Sequence, residues 1–346
     1  MNSRERMLTA LARREPDRVP RCEFGIDLAL MRRILPPGTL QGRENDGQTA
    51  CIDQNLFTIG EARAIADHLA LDNVSYVLRA PVFAERLRGA DGRDFFGDGL
   101  IRSREDLSRV VLPDPYSDAL YEEAAEFASK KGDHAACLVT RMGIFPTMLS
   151  MGMETFSLAL YDDPGFVETL LDIYFDWMEV VAERVCGLDF DVFVTTDDMA
   201  HKSGTLFSPS VFRDLVLPRY QRVAPKITIP WVVHTDGNVM ALVDWFVELG
   251  VAGLHPIEKG AMDIRAMKRS YGHRLCLLGN VDLNLLSIGT PQEVDAEVRE
   301  LIRDVAPGGG YILTSGNSLT SYLDPNNVLM LSDANQRYGI YPINLE

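Results

Sequence analysis

A histidine and an aspartate two positions apart, His234 and Asp236, stand at the end of a short apolar, β-branched run, 230–234. In an extended strand end such a pair points to one face, so an imidazole and a carboxylate can share one ion or one substrate atom. These donor types suit zinc, iron or manganese, with a third ligand drawn from another strand end. The alternative is that His234 is a hydrogen-bonded wall residue and Asp236 caps the following helix. Two adjacent carboxylates, Asp197 and Asp198, end a similar run, 191–196. Adjacent side chains on an extended backbone face opposite ways, so at most one of the two is expected in a site. Neighbouring carboxylates can be driven apart in pKa, one kept as an acid and one ionised as base or ligand. Asp198 is the favoured proton-handling residue, because Lys202 follows within one helical turn and can hold it ionised, and Asp197 comes second. A helix N-cap plus a surface carboxylate is the plainer reading.

What must position these residues is a series of eight short apolar runs, at 19–25, 74–79, 136–141, 191–196, 230–234, 252–256, 274–279 and 310–314. Each is followed by polar or turn residues and then by a segment of helical periodicity. Near-continuous apolar runs suit strands buried on both faces of a parallel sheet. Helices are expected over 154–185, where Phe156, Leu160, Phe166, Leu170, Tyr174 and Trp177 recur on one stripe, and over 292–305 behind Thr290-Pro291. About eight βαβ units predict a single-domain, distorted (β/α)₈ barrel spanning 1–346. The segment 80–117 reads as an excursion containing a small hairpin, placed to cover one mouth.

Parallel barrels carry their sites at the C-terminal strand ends. Besides the two pairs above, those ends hold Glu23, Arg141, His255, Glu258, Asn280 and Asn317. Arg141 can grip a carboxylate in two-point fashion, or form an ion pair in the mouth. Asn280 and Asn317 can orient a carboxylate or phosphate, or shape turns. Lys202 suits an anionic substrate, and His255 with Glu258 makes a second polar corner. Gly308-Gly309-Gly310 precedes a strand and so is a turn, not a phosphate cradle. No nucleophile elbow is present.

Fifty acidic against 34 basic residues give a formal charge of -16, which opposes binding to nucleic acid or anionic membranes. Cysteines 22, 51, 137, 186 and 276 form no C-x-x-C pair, pointing to a reducing compartment. With no apolar run of signal or membrane-spanning length, cytoplasm is the expected location.

The segments LYDDP (160–164), TTDDMAHKSGTLFSPSVFRDLVLPRY (195–220), HTDGN (234–238), GVAGLHPIE (250–258), LGNVD (278–282) and GGYILTSGN (309–317) resemble the uroporphyrinogen decarboxylase superfamily, from ERMLTALARREPDRVP through Tyr338-Gly339. That superfamily also contains corrinoid-dependent methyltransferases. The resemblance implies a distorted (β/α)₈ barrel. The decarboxylases carry Arg-Gln-Ala-Gly-Arg after the first strand to grip porphyrinogen carboxylates; here Arg21-Cys22-Glu23-Phe24-Gly25 stands there, with Glu23 expected to repel them. The methyltransferases bind zinc through His-x-Cys and a later Cys; here the matching positions are His234-Thr235-Asp236 and, at or next to it, Asn317. Oxygen in place of sulfur makes a harder Lewis acid, suited to an oxygen or nitrogen substrate.

Three functions follow as expectations. The first is a metal-dependent methyltransferase, zinc being the expected metal, that exchanges a methyl group between a small molecule and a corrinoid, free or on a carrier protein. The second is a decarboxylase or other lyase acting on a small carboxylate other than uroporphyrinogen, held by Arg141, Lys202 and Asn280. The third is a ligand-binding barrel without catalysis.

Overall fold

The computed structural model describes residues 1–40, 55–89 and 94–345. Cys51 and residues 90–92 of the expected Gly-Ala-Asp-Gly turn lie outside them. Seven parallel strands form one sheet in chain order: β1 (Asn73–Val77), β2 (Ala135–Thr140), β3 (Val192–Thr196), β4 (Trp231–His234), β5 (Gly253–His255), β6 (Cys276–Val281) and β7 (Tyr311–Ser315). Helices connect them, and the architecture is the expected distorted (β/α)₈ barrel.

The eighth segment differs from expectation. Residues 19–25 lie between β7 and β1 but make only a single parallel bridge, Arg21 with Leu313. On the β7 side, Leu313 N donates to Pro20 O at 2.9 Å and Cys22 N to Leu313 O at 3.1 Å. On the β1 side one backbone bond remains, Asp72 N donating to Arg21 O at 2.7 Å, and side chains replace the rest of the ladder. Arg21 N donates to Asp72 Oδ2 at 2.9 Å, Glu23 N to Asn73 Oδ1 at 3.1 Å, and Asn73 Nδ2 to Glu23 O at 2.8 Å. Asp72 and Asn73 supply through their side chains the partners that a regular ladder would take from the backbone.

Alternation along the strands decides what faces the barrel axis. Cys22, Ala135, Cys137, Val139, Val192, Val194, Val232, Cys276, Leu278 and Ile312 share an interior cluster with Met7, Ala10 and Leu11 of the helix Ser3–Leu11. The intervening Leu138, Phe193, Val233, Leu254, Leu277 and Leu313 belong to the larger core shared with the helices. Continued by two residues toward the C-terminal ends, the interior parity reaches Thr196, His234, Asn280 and Thr314. Gly253 brings His255 into the same layer.

The helix expected over 154–185 is two, Met153–Asp162 and Pro164–Cys186. Pro164 cannot continue a helical ladder and disfavours helical backbone at Asp163, whose carboxylate instead accepts from Phe166 N at 3.2 Å. Phe166, Leu170, Tyr174 and Trp177 are buried on the expected stripe, each burial contributing roughly 1.5–3 kcal/mol. The helix Pro291–Val305 is opened by Thr290 with Glu293 in a capping box. In the excursion, Ala84–Arg88 and Asp94–Gly99 pair as an antiparallel hairpin. Its Phe96 ring lies 5.5 Å from the guanidinium of Arg141, just beyond the C-terminal end of β2. No helix among the described residues is long and apolar enough to cross a membrane.

Candidate functional site

The pairing of β4 with β5 sets His234 directly opposite His255. Both face the axis, so their rings lie 4.8 Å apart between centroids, with the two Nδ1 atoms 2.6 Å apart. His255 is fully buried, with Nε2 3.1 Å from Thr314 Oγ1 and the Phe24 ring packed near-perpendicular to its own, 5.1 Å between centroids. His234 turns its own Nε2 toward two carboxylates, 3.8 Å from Asp236 Oδ1 and 3.9 Å from Asp198 Oδ1. Among the described residues these are the one group of three metal-ligating side chains whose donor atoms come together, all within 4.8 Å of one another.

The loop after β4 holds Asp236 in place. Gly237 adopts φ +83°, and a Cβ there would lie 2.6 Å from the carbonyl carbon of Ala200, so glycine is needed for the turn to pass. Gly237 N donates to Glu258 Oε2 at 2.8 Å, Asp236 N donates to Asp198 Oδ1 at 3.1 Å, and Asn317 Nδ2 donates to Asp236 Oδ2 at 2.6 Å. Asp236 Oδ1 is buried and has no hydrogen-bond partner. Burial, reinforced by the charges of Asp198 and Glu258, pushes the Asp236 carboxyl up to about 8. Burial holds His234 below its usual value; Arg79 adds to this and Asp198 opposes it. A buried, unpartnered carboxylate oxygen is costly unless something positive meets it. A divalent cation between these three side chains would do so, and the donor set fits one.

Asp197 and Asp198 face opposite ways, as the extended backbone requires. Asp197 departs from the proton-handling role: it is fully buried and accepts from Met142 N at 2.6 Å, Phe145 N at 3.0 Å and Gly143 N at 3.2 Å. It therefore anchors the start of the helix Ile144–Met151. Burial raises its pKa against those bonds and the charge of Arg141. Lys202 is exposed and lies 3.7 Å from Glu258, so it pairs there instead of holding Asp198 ionised.

Four further residues sit differently from expectation. Glu23 is not at the rim: it is buried with the outward parity and accepts from Ser315 N and Oγ at 2.9 and 2.7 Å. Asn280 donates to Ile257 O at 2.5 Å and is buried, which makes it a strut between strand ends. His255 and Asn317 act on His234 and Asp236 themselves. Two relevant residues were not singled out in the sequence. Arg79, two residues past β1, donates to Thr196 Oγ1 at 3.0 Å beside His234, and Thr314 reaches His255. The interior parity of Ile312 would have marked Thr314.

The uroporphyrinogen decarboxylase (URO-D) family model matches residues 96–338, well over half of the chain. The chain belongs to the uroporphyrinogen decarboxylase family. A uroporphyrinogen decarboxylase of Chlorobium luteolum is 24% identical over 253 residues, covering 67% of this chain and 68% of that protein. A methylated-thiol–coenzyme M methyltransferase of Methanosarcina mazei is 23% identical over 152 residues, 44% of this chain and 40% of that protein. A solved methyltransferase structure from Methanosarcina mazei shares the barrel with a TM-score of 0.74 at 20% identity, over 98% of this chain and 99% of that one. The proteins named here that this chain resembles are a decarboxylase and two methyltransferases.

Proposed function

We propose that this member of the uroporphyrinogen decarboxylase family is a metal-dependent methyltransferase that moves a methyl group between a small substrate and a corrinoid, free or on a carrier protein. The observation that supports this reading is the convergence of Asp198, His234 and Asp236 at the strand ends, with Asp236 Oδ1 buried and unpartnered. One imidazole and two carboxylates suit zinc or a similar divalent ion, which would act as a Lewis acid on a substrate oxygen or nitrogen. Around that position Asn317 orients Asp236, His255 orients His234, and Asp198, a third exposed, faces the mouth. With Oδ1 of Asp198 turned to the ion, its second oxygen is assigned the proton that an acceptor sheds on methylation and that a donor takes up when it loses its methyl group. The first-strand segment presents no arginine to a tetrapyrrole: Arg21 is buried on the outward side, donating to Leu69 O and Ser332 Oγ, and the inward positions are Cys22 and Phe24.

A second reading, a lyase acting on a small carboxylate, draws on Arg79 and Arg141 at adjacent strand ends beside the site. One experiment separates the two. The protein, loaded with zinc, is mixed with methylcobalamin or cob(I)alamin and a panel of methoxy, methylamine and thiol compounds. At least one compound is expected to give a protein-dependent change in the cobalamin spectrum, slowed about 10²-fold in Asp198→Asn. No change with any compound, together with carbon dioxide release from a small carboxylate in the absence of cobalamin, installs the lyase reading instead.

A further inference from the structure

Two imidazoles that meet Nδ1 to Nδ1 share one proton, and its position decides which nitrogen of His234 presents a lone pair to the carboxylates. The hydrogen bonds of the surrounding layer determine that position. Thr314 Oγ1 has one hydrogen, and it donates this to Ser315 O at 2.7 Å, because a carbonyl oxygen can only accept. Toward His255 Nε2, 3.1 Å away, the hydroxyl must therefore accept, so Nε2 of His255 carries a proton. Were Nδ1 protonated as well, His255 would be a cation in a fully buried position whose contacts are a hydroxyl, the Phe24 ring and another imidazole, with no carboxylate to compensate it. The shared proton accordingly belongs to His234 Nδ1. Its Nε2 is left bare, and at 3.8 and 3.9 Å from Asp236 and Asp198 it is outside hydrogen-bond range of both.

We propose that Ser315 O, Thr314 and His255 form a relay that fixes His234 in its Nδ1–H tautomer and aims the Nε2 lone pair at a divalent cation shared with Asp198 and Asp236. His255 and Thr314 are positioning residues: they act on the ligand, not on the substrate. The relay rests on the metal reading of the site and extends it to the groups behind the ligands. An outer partner that accepts the far N–H of a ligating histidine sets its orientation and basicity. Here that partner is a second histidine, whose own orientation is set by a hydroxyl on β7, so three strands hold one ligand.

Long-range proton–nitrogen spectra of the full-length protein read ring tautomers directly, with and without zinc. The metal-free protein is expected to show His234 protonated at Nδ1 and bare at Nε2, and zinc is expected to shift Nε2 while leaving the Nδ1 proton in place. Thr314→Val keeps the volume and removes the hydroxyl, so it is expected to mix the tautomers of both rings and to weaken zinc about 10- to 100-fold in chelator competition. Thr314→Ser should restore both properties. A wild type with its proton on His234 Nε2, or a folded Thr314→Val variant with wild-type tautomers and zinc affinity, overturns the relay. If the wild type takes up no zinc, iron or manganese, the metal reading fails by itself. The metal-free spectra then decide the relay alone.

Discussion

The side-chain amide of Asn317 donates to Asp236 Oδ2 at 2.6 Å and leaves the other oxygen, Oδ1, turned toward His234 at 3.8 Å. One oxygen is held by the loop after β7 and the other is presented to the site, so a single rotamer of Asp236 is selected. Asn317→Ala removes the orienting donor without touching the donor set. Zinc affinity is expected to fall about 10-fold, measured by chelator competition, with the fold intact by circular dichroism. Unchanged affinity would show that the loop after β4 positions Asp236 unaided.

His234→Ala tests the donor set itself. Purified without chelators, the wild type is expected to carry close to one divalent transition metal per chain, and the variant far less. A ligand that binds only the folded state stabilises it by about 2.7 kcal/mol at a free concentration 100 times its dissociation constant. Added zinc should therefore raise the wild-type melting temperature and leave that of His234→Ala nearly unmoved. Equal shifts in the two proteins would place the ion elsewhere.

Asp197 makes a contrasting case, because its carboxylate accepts three backbone N–H groups at the start of the helix Ile144–Met151. Asp197→Asn puts an amide N–H₂ where an acceptor is needed and leaves at least one buried N–H unpaired. The expected result is a loss of about 2–4 kcal/mol in denaturant unfolding, while the folded fraction retains zinc. Asp198→Asn should do the reverse, sparing stability and weakening the metal. Identical behaviour of the two variants would contradict the division of labour between these neighbours.

The strand ends were legible in the sequence because period-two patterning and barrel topology both pointed there, and His234, Asp236 and Asp198, which the fold brings together, were singled out that way. The opposite orientation of Asp197 and Asp198 also followed from an extended backbone. What patterning could not carry was register. Only the pairing of His234 with His255 explains why the two imidazoles meet. Only closure of the barrel explains why Glu23 lies beneath Ser315 and not at the rim. The first strand was read as regular, but toward β1 it keeps one backbone bond, Asp72 N to Arg21 O, and is otherwise paired by the side chains of Asp72 and Asn73, a substitution that hydrophobic runs do not reveal. The break at Asp163-Pro164 was visible in the residues, yet the apolar stripe continues across it and masked it.

Glu23 supplies a pH dependence that is independent of the metal. Burial lifts its carboxyl to about 7, against the opposing influences of Arg21 and of the Ser315 hydrogen bonds. In the unfolded chain the same group titrates near the ordinary value of about 4.3. A raised carboxyl means that the folded state binds more protons than the unfolded state between these two values, so stability falls as pH rises through that window and levels off above it. The shift corresponds to a loss on the order of 3 kcal/mol, developed between about pH 4.5 and pH 7. Glu23→Gln keeps the shape, one acceptor for Ser315 N and a group that can meet Ser315 Oγ, but cannot ionise. The unfolding free energy of the wild type minus that of Glu23→Gln is therefore expected to decline from pH 5 to pH 8, whatever its absolute sign. That sign also includes the partner lost to buried Arg21, 3.8 Å away. A difference that stays flat over the window, or rises, would mean that Glu23 is ionised throughout, with Arg21 holding its charge.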